Sequence, residues 1–186
     1  TKEKRKMDME DVFSVEPDLE ERIDNEIIDD SGFSYIPIEN EQIFDLGGVT
    51  LQVLSARGHT PGSVVYYCKE ENAVFGGDAV SPKISLFSEH DITFAAFKDS
   101  YEDILNIKKV CNAGTKFFCG HTPKVLPASL IDDAVQAFKE VAESIKSPVP
   151  FTGKIHGDPK GTKVFCNQAG QVTLIFSEAS LQISSL

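Results

Sequence analysis

Three side chains in this 186-residue sequence have the type and the setting to hold a metal ion: His59, Asp78 and His121. Each follows glycine: Gly58 before His59, the Gly76-Gly77 pair before Asp78, Gly120 before His121. Glycine permits positive φ and close backbone approach, and a crowded ligand shell needs both. Imidazole and carboxylate donors suit zinc, and also iron or manganese. Taken singly, each has an ordinary reading, a hydrogen-bonded loop histidine or an aspartate that closes a turn. Taken together they fall, in order, just past three strand-like runs. Loops at one edge of a sheet are where a rigid scaffold gathers distant residues.

The elements that must position them follow from local pattern. Strands are expected at Phe33–Ile36, Gln42–Leu46 and Val49–Leu54, with Gly47-Gly48 as the turn between the last two. "SVVYYCKE" and "AVFGG" give two more, joined by a turn at Glu70–Asn72, and "TKFFCG" gives the strand that delivers His121. Helices are expected from Pro17 to Ile28, from near Ser100, and after Ser129. Ser100 with Asp103, and Ser129 with Asp132, have the spacing of a cap and its reciprocal acid. Ile104, Ile107 and Cys111 share one helical face that Gly114 terminates. Leu130, Ala134, Ala137, Val141 and Ile145 form the second stripe, and Pro148 and Pro150 end it. "TKVFCNQAGQVTLIFS" reads as a hairpin about Ala169-Gly170. The fold class expected is mixed α+β and α/β, a sheet with helices on its outer face.

"GHTPGSVVYY", "VFGGDAV" and "FFCGHTP" resemble the C-terminal motifs of the metallo-β-lactamase superfamily, close to its glyoxalase II-like branch. The resemblance covers roughly residues 45–146, and the 19-residue step from His59 to Asp78 is in keeping with it. It implies an αβ/βα sandwich, two sheets face to face with helices outside and the metal site at one edge. It implies two divalent metal ions, zinc first, iron or manganese as alternatives. His59 would complete the first metal's ligands, Asp78 would bridge both, and His121 would bind the second. Thr60 and Ser63 would support the loop, and His90 would contact a small-molecule substrate. The implied activity is hydrolysis of an ester, thioester or phosphoester-type bond by metal-activated water. The alternatives are a di-iron, flavin-partnered oxidoreductase on the same fold, and a non-catalytic binding module.

The superfamily's first motif, His-x-His-x-Asp-His, has no counterpart here. The four histidines are His59, His90, His121 and His156, and none precedes His59. The aspartate that usually handles the proton is therefore missing with it, and the catalytic residue stays unassigned. Three ligands divided between two metals leave each about two, fewer than the three protein ligands of a catalytic zinc. The expectation is that residues 31–186 are the C-terminal part of such a domain, inactive alone. The missing N-terminal segment would then be a noncovalent partner, and residues 1–30 a charged segment or linker.

Composition narrows the partners. Residues 1–45 hold 15 of the 29 acidic side chains and 5 of the 18 basic ones, net −10, which leaves −1 for the remainder. Nucleic acid is an unsuitable partner for that acidic surface. The apolar runs are too short to span a bilayer. Cys68, Cys111, Cys119 and Cys166 show no Cys-x-x-Cys spacing and sit among apolar residues, so buried free thiols in a reducing cytoplasm are expected. Homo-oligomerisation stays open.

Overall fold

The computed structural model describes residues 32–86, 94–152 and 163–177. The described part of Ile38–Leu186 forms one compact unit. In chain order its elements are β1 (Ile43–Asp45), β2 (Thr50–Ser55), β3 (Val64–Cys68), β4 (Ala73–Gly77), β5 (Lys83–Ser85), α1 (Phe94–Val110), β6 (Lys116–Cys119), α2 (Ser129–Ala142), β7 (Val149–Pro150), β8 (Val164–Ala169) and β9 (Val172–Ser177). They build a mixed α+β sandwich of two sheets, ordered β1-β2-β3-β4-β6 and β5-β9-β8-β7.

The first sheet carries the site. β1, β2, β3 and β4 run antiparallel in succession, and β6 then pairs with β4 in parallel. β2, β4 and β6 therefore point the same way, and the loops that leave their C-terminal ends open on one edge. Period-two alternation sets the faces. Val65, Val74 and Phe117 turn into the core, whereas Phe75 and Phe118 stay exposed. Register places Tyr66 opposite Phe75 and Phe75 opposite Phe118. The outer face thus bears an aromatic row, with the Phe75 and Phe118 rings stacked 5.2 Å apart.

A single buried cluster joins both sheets and both helices. Phe97 of α1 lies at its centre, its ring 5.3 Å from Phe138 of α2 and 6.4 Å from Phe176 of β9. Ile104, Ile107, Leu130, Ala134 and Ala137 share the same core. The small side chains of Ala134 and Ala137 let α2 lie close on β8 and β9. There Asn167 of β8 donates to the Ala137 carbonyl at 3.0 Å and to Glu140 at 2.9 Å.

Most expected strands form within a residue or two of their predicted ends, and "AVFGG" is β4 itself. Four expectations need correction. Phe33–Ile36 is no strand: it joins neither sheet, and Phe33, Tyr35 and Ile36 are exposed. The first helix starts by Phe94, so Ser100 is not its cap but a buried residue inside it. Asp103 closes no capping box, because its carboxylate is bound by Arg57. The second helix starts on Ser129 rather than after it, so Ser129 is not its cap, and Ala128 precedes it without a side-chain cap. Ser129 Oγ instead accepts from Gln171 at 3.1 Å. Ile145, placed on the apolar stripe, falls beyond the end of α2 and is exposed. β5 and β7, of three and two residues, were too short to stand out from periodicity. The expected helix at Pro17–Ile28 lies outside the described residues. All four cysteines are free, and Cys68 is buried. Among the described residues no helix is long and apolar enough to cross a membrane.

Phe97→Ala removes the ring that joins α1 to α2 and β9. It is expected to destabilise the folded unit by about 3–5 kcal/mol, read as a fall in the urea midpoint. An unchanged midpoint would show that the three elements do not depend on this contact.

Candidate functional site

The three candidate ligands leave the first sheet on the same edge. His59 sits in the loop after β2, Asp78 directly after β4, and His121 two residues after β6. The parallel ladder brings the last two together by pairing Gly77 with Cys119, and Gly120 N donates to the Gly77 carbonyl at 2.8 Å. Gly120 is needed at this crossing, because a methyl group there would overlap the Asp78 carboxylate. His121 itself adopts φ 55°, a left-handed conformation that costs a non-glycine residue about 1 kcal/mol or more. From this loop tip the imidazole Nε2 lies 3.4 Å from Asp78 Oδ1.

The two oxygens of Asp78 face different histidines. His59 Nε2 lies 3.8 Å from Oδ2, and His121 Nε2 lies 3.4 Å from Oδ1. Both separations exceed the roughly 2.7–3.2 Å of an N–H···O hydrogen bond. Two donors that share a tetrahedral zinc at the usual bond lengths stand about 3.4 Å apart. The donor chemistry and spacing therefore fit a cation between each imidazole and its own carboxylate oxygen. They fit as two pairs that share Asp78. Among the described residues no group of three or more His, Cys, Asp or Glu side chains is arranged to hold one ion. The rim is open: the side chains of His59, Asp78 and His121 are 37%, 39% and 89% exposed.

His59 is oriented from behind. Its Nδ1 lies 3.2 Å from the Ser85 carbonyl oxygen of β5. A carbonyl only accepts, so this contact places the proton on Nδ1 and leaves the Nε2 lone pair facing Asp78. The loop around His59 is closed on itself. Thr60 N donates to Ser63 Oγ at 3.1 Å, the two hydroxyls lie 2.8 Å apart, and Ala56 N donates to the Ser63 carbonyl at 3.0 Å. Thr60 and Ser63 thus do support the loop.

One group at the site was missed in the sequence. Arg57, two residues before His59, forks onto Asp103 of α1 with Nε–Oδ2 and Nη2–Oδ1 both at 2.8 Å. Its backbone N–H donates to the same Oδ2 at 2.9 Å, and Nη1 lies 3.2 Å from Asp99. The hydrogen bonds that Arg57 donates to Asp103 push the guanidinium pKa further up, so Arg57 is charged throughout. The signal available in the sequence was an arginine beside a candidate ligand and an acidic face, Asp99, Glu102 and Asp103, on a helix of unknown direction.

Cys119, two residues before His121, is half-buried. Burial pushes its thiol up to about 11, and the Asp78 carboxylate adds to the shift. It is a neutral thiol at physiological pH in this arrangement, neither nucleophile nor thiolate. His90 and His156 lie outside the described residues.

Residues 2–158 match the sequence profile of the metallo-beta-lactamase superfamily. A curated relative, the atrochrysone carboxyl ACP thioesterase AgnL7 of Paecilomyces divaricatus, is 37% identical over 70 residues, 38% of this chain and 21% of that protein. Among solved structures, a metallo-beta-lactamase family protein from Thermus thermophilus overlaps 62% of this chain and 40% of its own, at 18% identity and a TM-score of 0.46. A metallo-beta-lactamase from Pontibacter korlensis overlaps 58% and 50%, at 22% identity and a TM-score of 0.43. The chain thus spans about a fifth of the curated relative and at most half of these two structures.

In the metal-free protein at pH 8 the Cys119 thiol is expected to react slowly with iodoacetamide, its rate climbing as the pH approaches 11. Peptide mapping of the alkylated residue reads the rate. Full thiolate reactivity of Cys119 at pH 8 would contradict the assigned environment.

Proposed function

The chain belongs to the metallo-beta-lactamase superfamily, and from that premise we propose that its rim forms one side of a dinuclear metal centre in a hydrolase acting on thioester or ester bonds. The observation that carries the reading is the division of the Asp78 carboxylate, one oxygen toward His59 and the other toward His121. Neither separation is a hydrogen bond, and a carboxylate that bridges two cations needs one oxygen toward each side. The relative named as a thioesterase supports the choice of bond, and fold alone would not.

The chain's own groups have distinct tasks. His59 offers Nε2 because Ser85 holds the proton on Nδ1. His121 offers Nε2 from a strained loop tip. Asp78 offers one oxygen to each and, as an anion, offsets part of the charge of two cations. Bound there, two divalent ions, zinc first among them, would supply an activated water and the positive charge that steadies a developing oxyanion.

Two donors per cation fall short of the three protein ligands that hold a catalytic zinc. The remaining donors come, on this reading, from polypeptide beyond the described residues. The exposed pair Phe75 and Phe118, with half-buried Tyr66 beside them, supports this, since Phe75 and Phe118 lie three residues before Asp78 and His121. A segment that covers these rings also reaches the rim.

In the intact protein, His121→Ala is expected to lower the zinc content from two per chain to about one, measured by plasma mass spectrometry after dialysis. Asp78→Ala is expected to weaken both sites. Retention of two zinc ions by His121→Ala would remove that histidine from the ligand set.

A further inference from the structure

We propose that Arg57 is a positioning residue for the candidate metal centre: its fork on Asp103 holds the β2–β3 loop so that His59 Nε2 faces Asp78. The proposal rests on the reading of His59 as a ligand.

Exposed arginine–carboxylate pairs contribute little, because solvent screens them. This pair differs in its acceptor. The Asp103 side chain is 4% exposed, against 44% for Asp99. Its Oδ2 receives both the Arg57 backbone N–H, at 2.9 Å, and Nε, at 2.8 Å, while Oδ1 receives Nη2 at 2.8 Å. A buried carboxylate satisfied mainly by one residue fixes both the side chain and the main chain of that residue. Main chain is what matters two residues on, where His59 begins.

The loop's internal bonds cannot do this. The contacts of Thr60 with Ser63, and of Ala56 with Ser63, close the loop without registering it against the rest of the molecule. Among the described residues, two polar contacts of Arg57 and His59 register it. The Arg57 fork ties its start to α1, and the His59–Ser85 bond ties the imidazole to β5. Between them Gly58, at φ 143°, is pressed against Ser100 and Leu86 so closely that a methyl group would clash with both. Helix α1 is thus part of the frame against which the imidazole is set, and Arg57 is its charged, hydrogen-bonded link to that helix. Lysine keeps the charge but has no planar fork, so it cannot bind both oxygens and hold the same geometry.

The test compares Arg57→Lys and Asp103→Asn with Asp99→Asn, which leaves the fork intact, all in the intact protein. Two readouts are taken. Long-range proton–nitrogen correlation spectra of the metal-free protein report the tautomer of His59. Chelator competition reports zinc affinity at each of the two sites. In the unsubstituted protein and in Asp99→Asn, His59 is expected to hold its proton on Nδ1. In Arg57→Lys and Asp103→Asn the tautomers should mix. Zinc affinity at the His59 site should fall about 10- to 100-fold, the usual cost of losing a group that orients a ligand, with the His121 site unchanged. If Arg57→Lys fails to fold, Asp103→Asn is read by the same measures. An unchanged tautomer and affinity in the folded variants, or an equal loss at both sites, would overturn the proposal. A tautomer shift in a protein that binds no zinc even unsubstituted would uphold the orienting role and sink the metal reading instead.

Discussion

The parallel pairing of β4 and β6 determines nearly everything at the rim. Antiparallel strands would send the residues after Gly77 and after Cys119 to opposite edges. The parallel ladder sends them to the same edge, one strand spacing apart, with Gly77 paired to Cys119. A parallel pair requires a crossover of a dozen or more residues, and here that connection carries β5 and α1. Both return to the site: β5 supplies the Ser85 carbonyl behind His59, and α1 supplies Asp103 behind Arg57. The same segment that makes parallel pairing feasible thereby contacts His59 and Arg57 in the loop after β2.

This coupling gives the core a functional consequence. Phe97 anchors α1 against α2 and β9, and α1 in turn receives the loop that holds His59. Core and rim thus share one helix, with Phe97 on its buried side and Asp103 bound to Arg57. On the other side of the sheet the stacked Phe75 and Phe118 rings are left half open to solvent. The strands that carry these rings are the ones that lead into Asp78 and His121.

How far this could be read in the sequence differed between parts of the molecule. The strand "AVFGG" was legible because β-branched and aromatic residues run directly into glycine, and the ladder needs that transition. The convergence of His59, Asp78 and His121 was legible from three strand exits flanked by glycine. The separate assignment of the two Asp78 oxygens was not, because it depends on register between strands about forty residues apart. Phe33–Ile36 had strand composition but joins neither sheet, and composition alone does not supply a neighbouring strand to pair with. Ser100 and Asp103 had the spacing of a cap, yet that spacing also recurs inside helices. Asp103 went to Arg57, 46 residues away in sequence, a contact that no local pattern announces.

The central claim is that Asp78 divides its carboxylate between two cations. Diffraction from crystals of the intact protein, with data on both sides of the zinc absorption edge, tests it most directly. The account predicts two anomalous peaks flanking Asp78, one toward His59 Nε2 and one toward His121 Nε2. A single peak bound by all three side chains, or zinc located only elsewhere in the molecule, would contradict it.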